Sequence, residues 1–176
     1  PGGTGGSSAA PTCAEAGGNR CAASASACSG LTTLASSDCA ACCKVPDNPV
    51  FPAGWADPYI ARDGQTYYTF ATGNTVRRRS SKNLVNWSAA SDALTSSPWK
   101  SPSFGFWAPA VYQAKSGKWI LFYASERKGS TQKCIGRAVA NSITGKFVDN
   151  ASKPFICRTT HWSIDPSVFR DADGKD

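Results

Sequence analysis

Methionine is absent from the 176 residues, histidine occurs once, and no phenylalanine, tyrosine or tryptophan precedes Phe51. The single histidine, His161 beside Trp162, reads as a loop or packing residue rather than a ligand. No apolar run approaches the about 18 residues of a membrane span, and no basic-then-apolar leader opens the chain, so no membrane partner is expected. No stretch keeps a helical period for three turns, which excludes the all-α classes. A start at Pro1 without methionine reads as a processed or excised piece.

Acidic residues are also scarce: 12 against 19 basic ones, a net charge of +7. Such a surplus can mark a nucleic-acid binder. Here the basic residues are scattered apart from Arg77-Arg78-Arg79, which reads as an exposed strand, and no nucleic-acid partner is expected. A solvated basic surface suits proximity to acidic wall polysaccharides.

What is present begins with cysteine. Eight form an even set, six of them between Cys13 and Cys43 with gaps of seven, six, ten, two and zero residues. This is a disulfide framework of the oxidising, secreted kind, with fifteen possible connectivities for the six. The sequons Asn86-Trp87-Ser88 and Asn150-Ala151-Ser152 agree with an extracellular location. Residues 1–12 form a Gly/Ser/Pro-rich linker and 13–45 a small cysteine-rich module. The module lacks an aromatic face on which a sugar could stack, so it reads as a structural cap or spacer rather than as a carbohydrate-binding module. Zinc held by Cys39, Cys42 and Cys43 is a weaker alternative.

From residue 46 the writing is all-β. Thr66–Phe70 and Lys118–Tyr123 have strand length and aromatic content, and Asp63-Gly64, Ser116-Gly117 and Gly129-Ser130 supply turns. Three segments repeat: "ADPYIARDGQTYYTFAT" from Ala56, "APAVYQAKSGKWILFYAS" from Ala108 and "IDPSVFRDADGKD" from Ile164. Their prolines, Pro58, Pro109 and Pro166, are 51 and 57 residues apart, the period of a β-propeller blade. Residues 46–176 then cover two blades and the opening strand of a third, and Cys134–Cys157 is expected to bridge the outer part of the second.

Innermost strands of successive blades converge on the propeller axis, so the residue before each repeat proline is informative. It is Asp57, Ala108 and Asp165 in turn. Asp-Pro by itself only starts a turn; recurrence at one register brings two carboxylates to one pocket. A carboxylate pair beside aromatic platforms suits glycosidic cleavage, in which one group protonates the leaving oxygen and another activates water. Trp55, Phe106 and Trp107 are the candidate platforms.

Four stretches, "NPVFPAGWADPYIARDGQTYYTFAT", "FWAPAVYQAKSGKWILFYAS", "CIGRAVANSITGKF" and "IDPSVFRDADGK", together resemble glycoside hydrolase family 43, the five-bladed β-propeller enzymes of arabinan and xylan breakdown. The resemblance implies that Asp57 is the general base, that Asp165 tunes the pKa of the general acid and orients the site, and that Trp107 contacts substrate. It implies inversion, with carboxyl groups about 6.5–9.5 Å apart to admit a water. The family's acid is a Glu of a later blade, without counterpart here; Glu126 matches no motif. Ala110 departs from the Asp that many relatives carry after "WAP". No cofactor is expected, although the resemblance allows calcium in the central channel on ligands from later blades. A monomer acting on plant wall polysaccharide is expected; the alternative is a non-catalytic, sugar-binding propeller.

Overall fold

The computed structural model describes residues 10–18, 20–28, 31–44, 54–169 and 171. It divides into two compact units, Pro1–Pro52 with Asn83–Asn86, and Ala53–Lys82 with Trp87–Asp176. The chain is all-β, with one short 3-10 turn at Ala25–Cys28 among the described residues.

In the first unit β1 (Arg20–Ala22), β2 (Thr32–Leu34) and β3 (Ala41–Lys44) form an antiparallel sheet with β3 in the middle. Among the described residues its apolar cluster is Cys28, Ala41 and Cys43, with Ala22 and Leu31 against them. So little buried surface cannot offset the ordering entropy of the chain. Disulfides Cys13–Cys42, Cys21–Cys39 and Cys28–Cys43 hold it instead, typically worth about 2–4 kcal/mol each. A Cβ at Gly18 would lie 2.1 Å from Cys42 Sγ, so the Cys13–Cys42 bridge requires glycine there. Because Cys39, Cys42 and Cys43 are all oxidised, the zinc alternative is removed: no thiolate is left to bind metal.

The second unit opens with a four-stranded antiparallel meander, β4 (Tyr59–Asp63), β5 (Thr66–Ala71), β6 (Val76–Ser81) and β7 (Ser91–Leu94). A three-stranded meander follows, β8 (Trp107–Gln113), β9 (Trp119–Glu126) and β10 (Lys133–Ala140). Gly64 and Gly117, with φ of 55° and 82°, make the tight returns between the first two strands of each, a backbone region glycine enters without penalty. The outer edge of β10 is covered by an irregular segment that pairs with it at two points, Val139 with Val148 and Ile135 with Ile156. Cys134–Cys157 ties that segment to β10, the bridge expected from the sequence.

One apolar core runs through both meanders, including Phe70, Val76, Leu94, Trp99, Phe106, Leu121, Tyr123, Ile143 and Phe147. Within it Asp149, 5% exposed, accepts hydrogen bonds at Oδ2 from Tyr123 (2.5 Å), Trp99 Nε1 (3.0 Å) and Ser97 (3.1 Å). Three donors on one oxygen satisfy the buried charge. Burial, then the Asp149 contact, pushes the Tyr123 hydroxyl far above its ordinary value, so it remains a donor.

The arginine run alternates as a strand must, but it is half-buried and engaged, which corrects the exposed reading. Arg77 and Arg79 both lie over the Trp55 ring at 5.0 Å. From the opposite face Arg78 donates to the carbonyls of Ile143 (2.6 Å), Thr144 (2.7 Å) and Gly145 (2.8 Å), clamping the second meander to the first. A second departure is at 162–169, expected to be a strand: the segment is irregular. Pro166 offers no N–H, and no neighbouring strand pairs with these residues among those described. Ser163 N–H donates to the Lys133 carbonyl at 3.0 Å and Gln132 Nε2 to the His161 carbonyl, which lay the segment beside β10. The linker residues 1–9, residues 48–53 that open the first of the four family-like stretches, and Gly174 lie outside the described residues.

Candidate active site

β4 and β8, the inner strands of the two meanders, are neighbours, so residues at their starts meet. Asp57 and Pro58 lead into β4. Ala108 and Pro109 fall where the β8–β9 register shifts between Trp107 and Ala110, a bulge that re-aims the strand. The irregular segment at Asp165 and Pro166 completes the lining. Asp57, Pro58, Tyr59, Ala108, Pro109, Asp165 and Pro166 line one open cleft of about 290 Å3. The register inferred from the repeat therefore corresponds to a place: all three proline-preceding residues come together.

Their backbones also match. Asp57, Ala108 and Asp165 have φ of 47°, 42° and 54°. Left-handed backbone is unfavourable for residues with a Cβ and more so before proline; such residues cost about 1–3 kcal/mol each and cluster at functional sites. Both carboxylates are solvent-exposed. Asp57 Oδ2 accepts a hydrogen bond of 2.5 Å from the Thr72 hydroxyl, and Thr72 Oγ1 accepts one of 2.9 Å from the Ala108 N–H. Nothing in a threonine at a strand end distinguishes it in sequence, so Thr72 escaped the sequence reading. Burial pushes the hydroxyl of the cleft-lining Tyr59 above its ordinary value.

The aromatic candidates divide. Trp107, half-buried, packs on Phe104 at 4.5 Å and is bonded to Ala108 of the cleft. Phe106 is 0% exposed and meets Tyr123 edge-on at 5.0 Å. This corrects its reading as a sugar platform, since a ring without exposed surface cannot touch substrate. Neither Trp107 nor Trp55 is in the cleft lining; Trp107 is the sequence neighbour of a lining residue, whereas Trp55 donates its Nε1 to Thr69 at 3.0 Å under the two arginines.

Glu126 is not beside the cleft carboxylates. Its Oε2 pairs with Lys133 Nζ at 2.7 Å, and Lys133 lies over Phe104 at 4.5 Å and Trp162 at 4.8 Å. The Lys133 hydrogen bond holds the Glu126 carboxyl below its ordinary value, the opposite of what a proton donor needs. Among the described residues, the grouping of metal-capable side chains is Cys13, Cys21 and Cys39, all in disulfides.

Several known proteins are similar to this chain. The extracellular exo-alpha-(1->5)-L-arabinofuranosidase ArbA of Cellvibrio japonicus is 33% identical over 132 residues, 68% of this chain and 38% of the relative. The extracellular endo-alpha-(1->5)-L-arabinanase of Thermotoga petrophila is 29% identical, over 68% and 32%. The structure of Cellvibrio cellulosa alpha-L-arabinanase with arabinohexaose aligns with a TM-score of 0.57 and 30% identity, covering 69% of this chain and 42% of that one. The chain thus spans about a third to two fifths of these proteins' length. Residues 46–176 match the model of glycosyl hydrolases family 43, and the chain belongs to that family.

Proposed function

We propose that the whole protein is a secreted, inverting glycosidase of plant wall polysaccharide, and that these residues supply two of the carboxylates of its active site. The observation that carries this reading is the meeting of Asp57 and Asp165 in one cleft through a shared, strained backbone conformation. Asp57 takes the proton from the attacking water. Asp165 supplies negative charge across the cleft that keeps the general acid protonated and helps orient the sugar. Glu126, tied to Lys133, is not that acid; a residue outside this sequence delivers the proton. Trp107, half-buried and next in sequence to Ala108 of the cleft, is the aromatic candidate for sugar contact, while Trp55 backs the arginines of β6.

The closed domain is a five-bladed propeller with the two meanders as successive blades, and the domain runs from residue 46, after the linker at 1–12 and the cysteine-rich module at 13–45. Arabinan is the first substrate to test, because the relatives described above are named for α-1,5-arabinan activity; arabinoxylan and xylan are the competing substrates. Relatives named as extracellular, together with four disulfides and no free cysteine among the described residues, support secretion. The protein acts as a monomer, without a cofactor supplied by these residues.

The test is the whole protein on debranched arabinan, nitrophenyl arabinoside and nitrophenyl xyloside, with the anomer of the first product read by NMR. Turnover with inversion is expected; a folded protein silent on all three, yet binding the oligosaccharides, favours the non-catalytic propeller. Asp57→Asn is expected to lower kcat about 10²–10⁴-fold while oligosaccharide affinity is kept.

A further inference from the structure

The cleft contains a side-chain link that the catalytic reading leaves unused. Thr72 ends its strand at the junction of the two meanders, and its hydroxyl touches both. The Ala108 N–H donates to Oγ1 at 2.9 Å, which occupies the oxygen as an acceptor. Its single proton is thereby directed to Asp57 Oδ2, at 2.5 Å. A hydroxyl can otherwise rotate; here the amide on one side and the carboxylate on the other fix its direction.

The backbone around Thr72 is held with equal care. Thr72 N–H donates to the Ala56 carbonyl at 3.1 Å, beside Asp57. The next residue, Gly73, exchanges two hydrogen bonds with Phe106, of 3.0 and 2.8 Å, beside Trp107 and Ala108. The seam is so close that a Cβ on Gly105 would stand 2.7 Å from the Gly73 carbonyl oxygen. The Thr72 hydroxyl thus reaches both Asp57 and Ala108, while main-chain bonds from Thr72 and Gly73 hold the residues just before them, Ala56 and Phe106.

We infer that Thr72 is a positioning residue that sets the Asp57 carboxylate for proton abstraction. By holding Oδ2, it presents Oδ1 to the water, and by accepting from Ala108 it ties that orientation to the second meander. The inference rests on Asp57 being the base. Thr72 itself touches neither water nor sugar in this scheme, so its loss is felt in turnover rather than in substrate binding.

Two substitutions in the whole enzyme separate orientation from packing. Thr72→Val keeps the branched shape and removes the hydroxyl; Thr72→Ser keeps the hydroxyl and removes the methyl. On arabino-oligosaccharide, Thr72→Val is expected to lower kcat about 10–100-fold with KM changed less than about twofold, the scale of a misplaced catalytic group. Thr72→Ser is expected to stay within about threefold of wild type in kcat, and the thermal unfolding midpoints of both are recorded alongside. Wild-type kcat in a folded Thr72→Val overturns the inference, and so does equal loss in the Val and Ser variants. Turnover retained by Asp57→Asn would instead overturn the assignment of the base, whereas an inactive Asp57→Asn beside a fully active Thr72→Val removes only the role of Thr72.

Discussion

The Glu126 carboxylate and the Lys133 ammonium meet at 2.7 Å beneath Trp162, and the hydrogen bond lowers the carboxyl's pKa. A carboxylate more acidic in the folded chain stabilises the fold above its unfolded value, and that contribution fades as pH falls through the lowered value. The unfolding temperature of wild type should therefore exceed that of Glu126→Gln near neutral pH, and the gap should close as acidification protonates the Glu126 carboxylate. A constant gap would show that the pair acts through packing alone. At this scale the sequence was readable only where register repeats. Asp57 and Asp165 stood out because each precedes a repeat proline. Phe106 was misassigned beside Trp107 because adjacent aromatics look equivalent, yet neighbouring side chains at a strand point to opposite faces and only one can look outward. Thr72 and Asp149 belong to no pattern: the partners of Asp149, Trp99 and Tyr123, lie 50 and 26 residues away.

Between elements, the two meanders share one apolar core and are tied further by backbone pairs and the Arg78 guanidinium. Arg78 satisfies three carbonyls of the 143–145 turn, and Phe147 N–H donates to the Ala93 carbonyl at 2.8 Å. In β10, Gly136 faces Tyr123 across the ladder. A Cβ there would lie 2.2 Å from Tyr123 Cζ and 2.7 Å from Trp99 Cζ2. Neither ring can retreat without breaking its bond to Asp149, so Gly136→Ala is expected to destabilise the unit by about 3 kcal/mol, read as a lower midpoint in urea. An unchanged midpoint would mean that the Tyr123–Asp149–Trp99 network yields freely. The strands themselves were legible from aromatic runs and glycine turns. The irregular edge at 148–156 and the uncoiled 162–169 segment were not, because apolar alternation marks which face is buried and says nothing of whether a pairing partner stands alongside.

For the molecule as a whole, cross-linking is unevenly shared. The first unit depends on three bridges around a core of three small residues, whereas the second has an extended apolar core and one bridge. Mild reduction should therefore expose residues 13–44 to proteolysis while the segment 54–169 stays resistant, with cleavage sites read by mass spectrometry. Simultaneous digestion of both would refute this division.

The single bridge of the second unit has a different consequence. One side of β10 is paired with β9 from Lys133 to Ala140; the other, among the described residues, is met by an irregular chain that bonds it at Val148, Phe155, Ile156 and Ser163 rather than along a continuous ladder. Cys134–Cys157 keeps that thin cover in place. Without it, eight residues of strand become a template for another chain. Protein made in a reducing compartment is therefore expected to self-associate through this edge, which light scattering of the reduced and oxidised forms would compare.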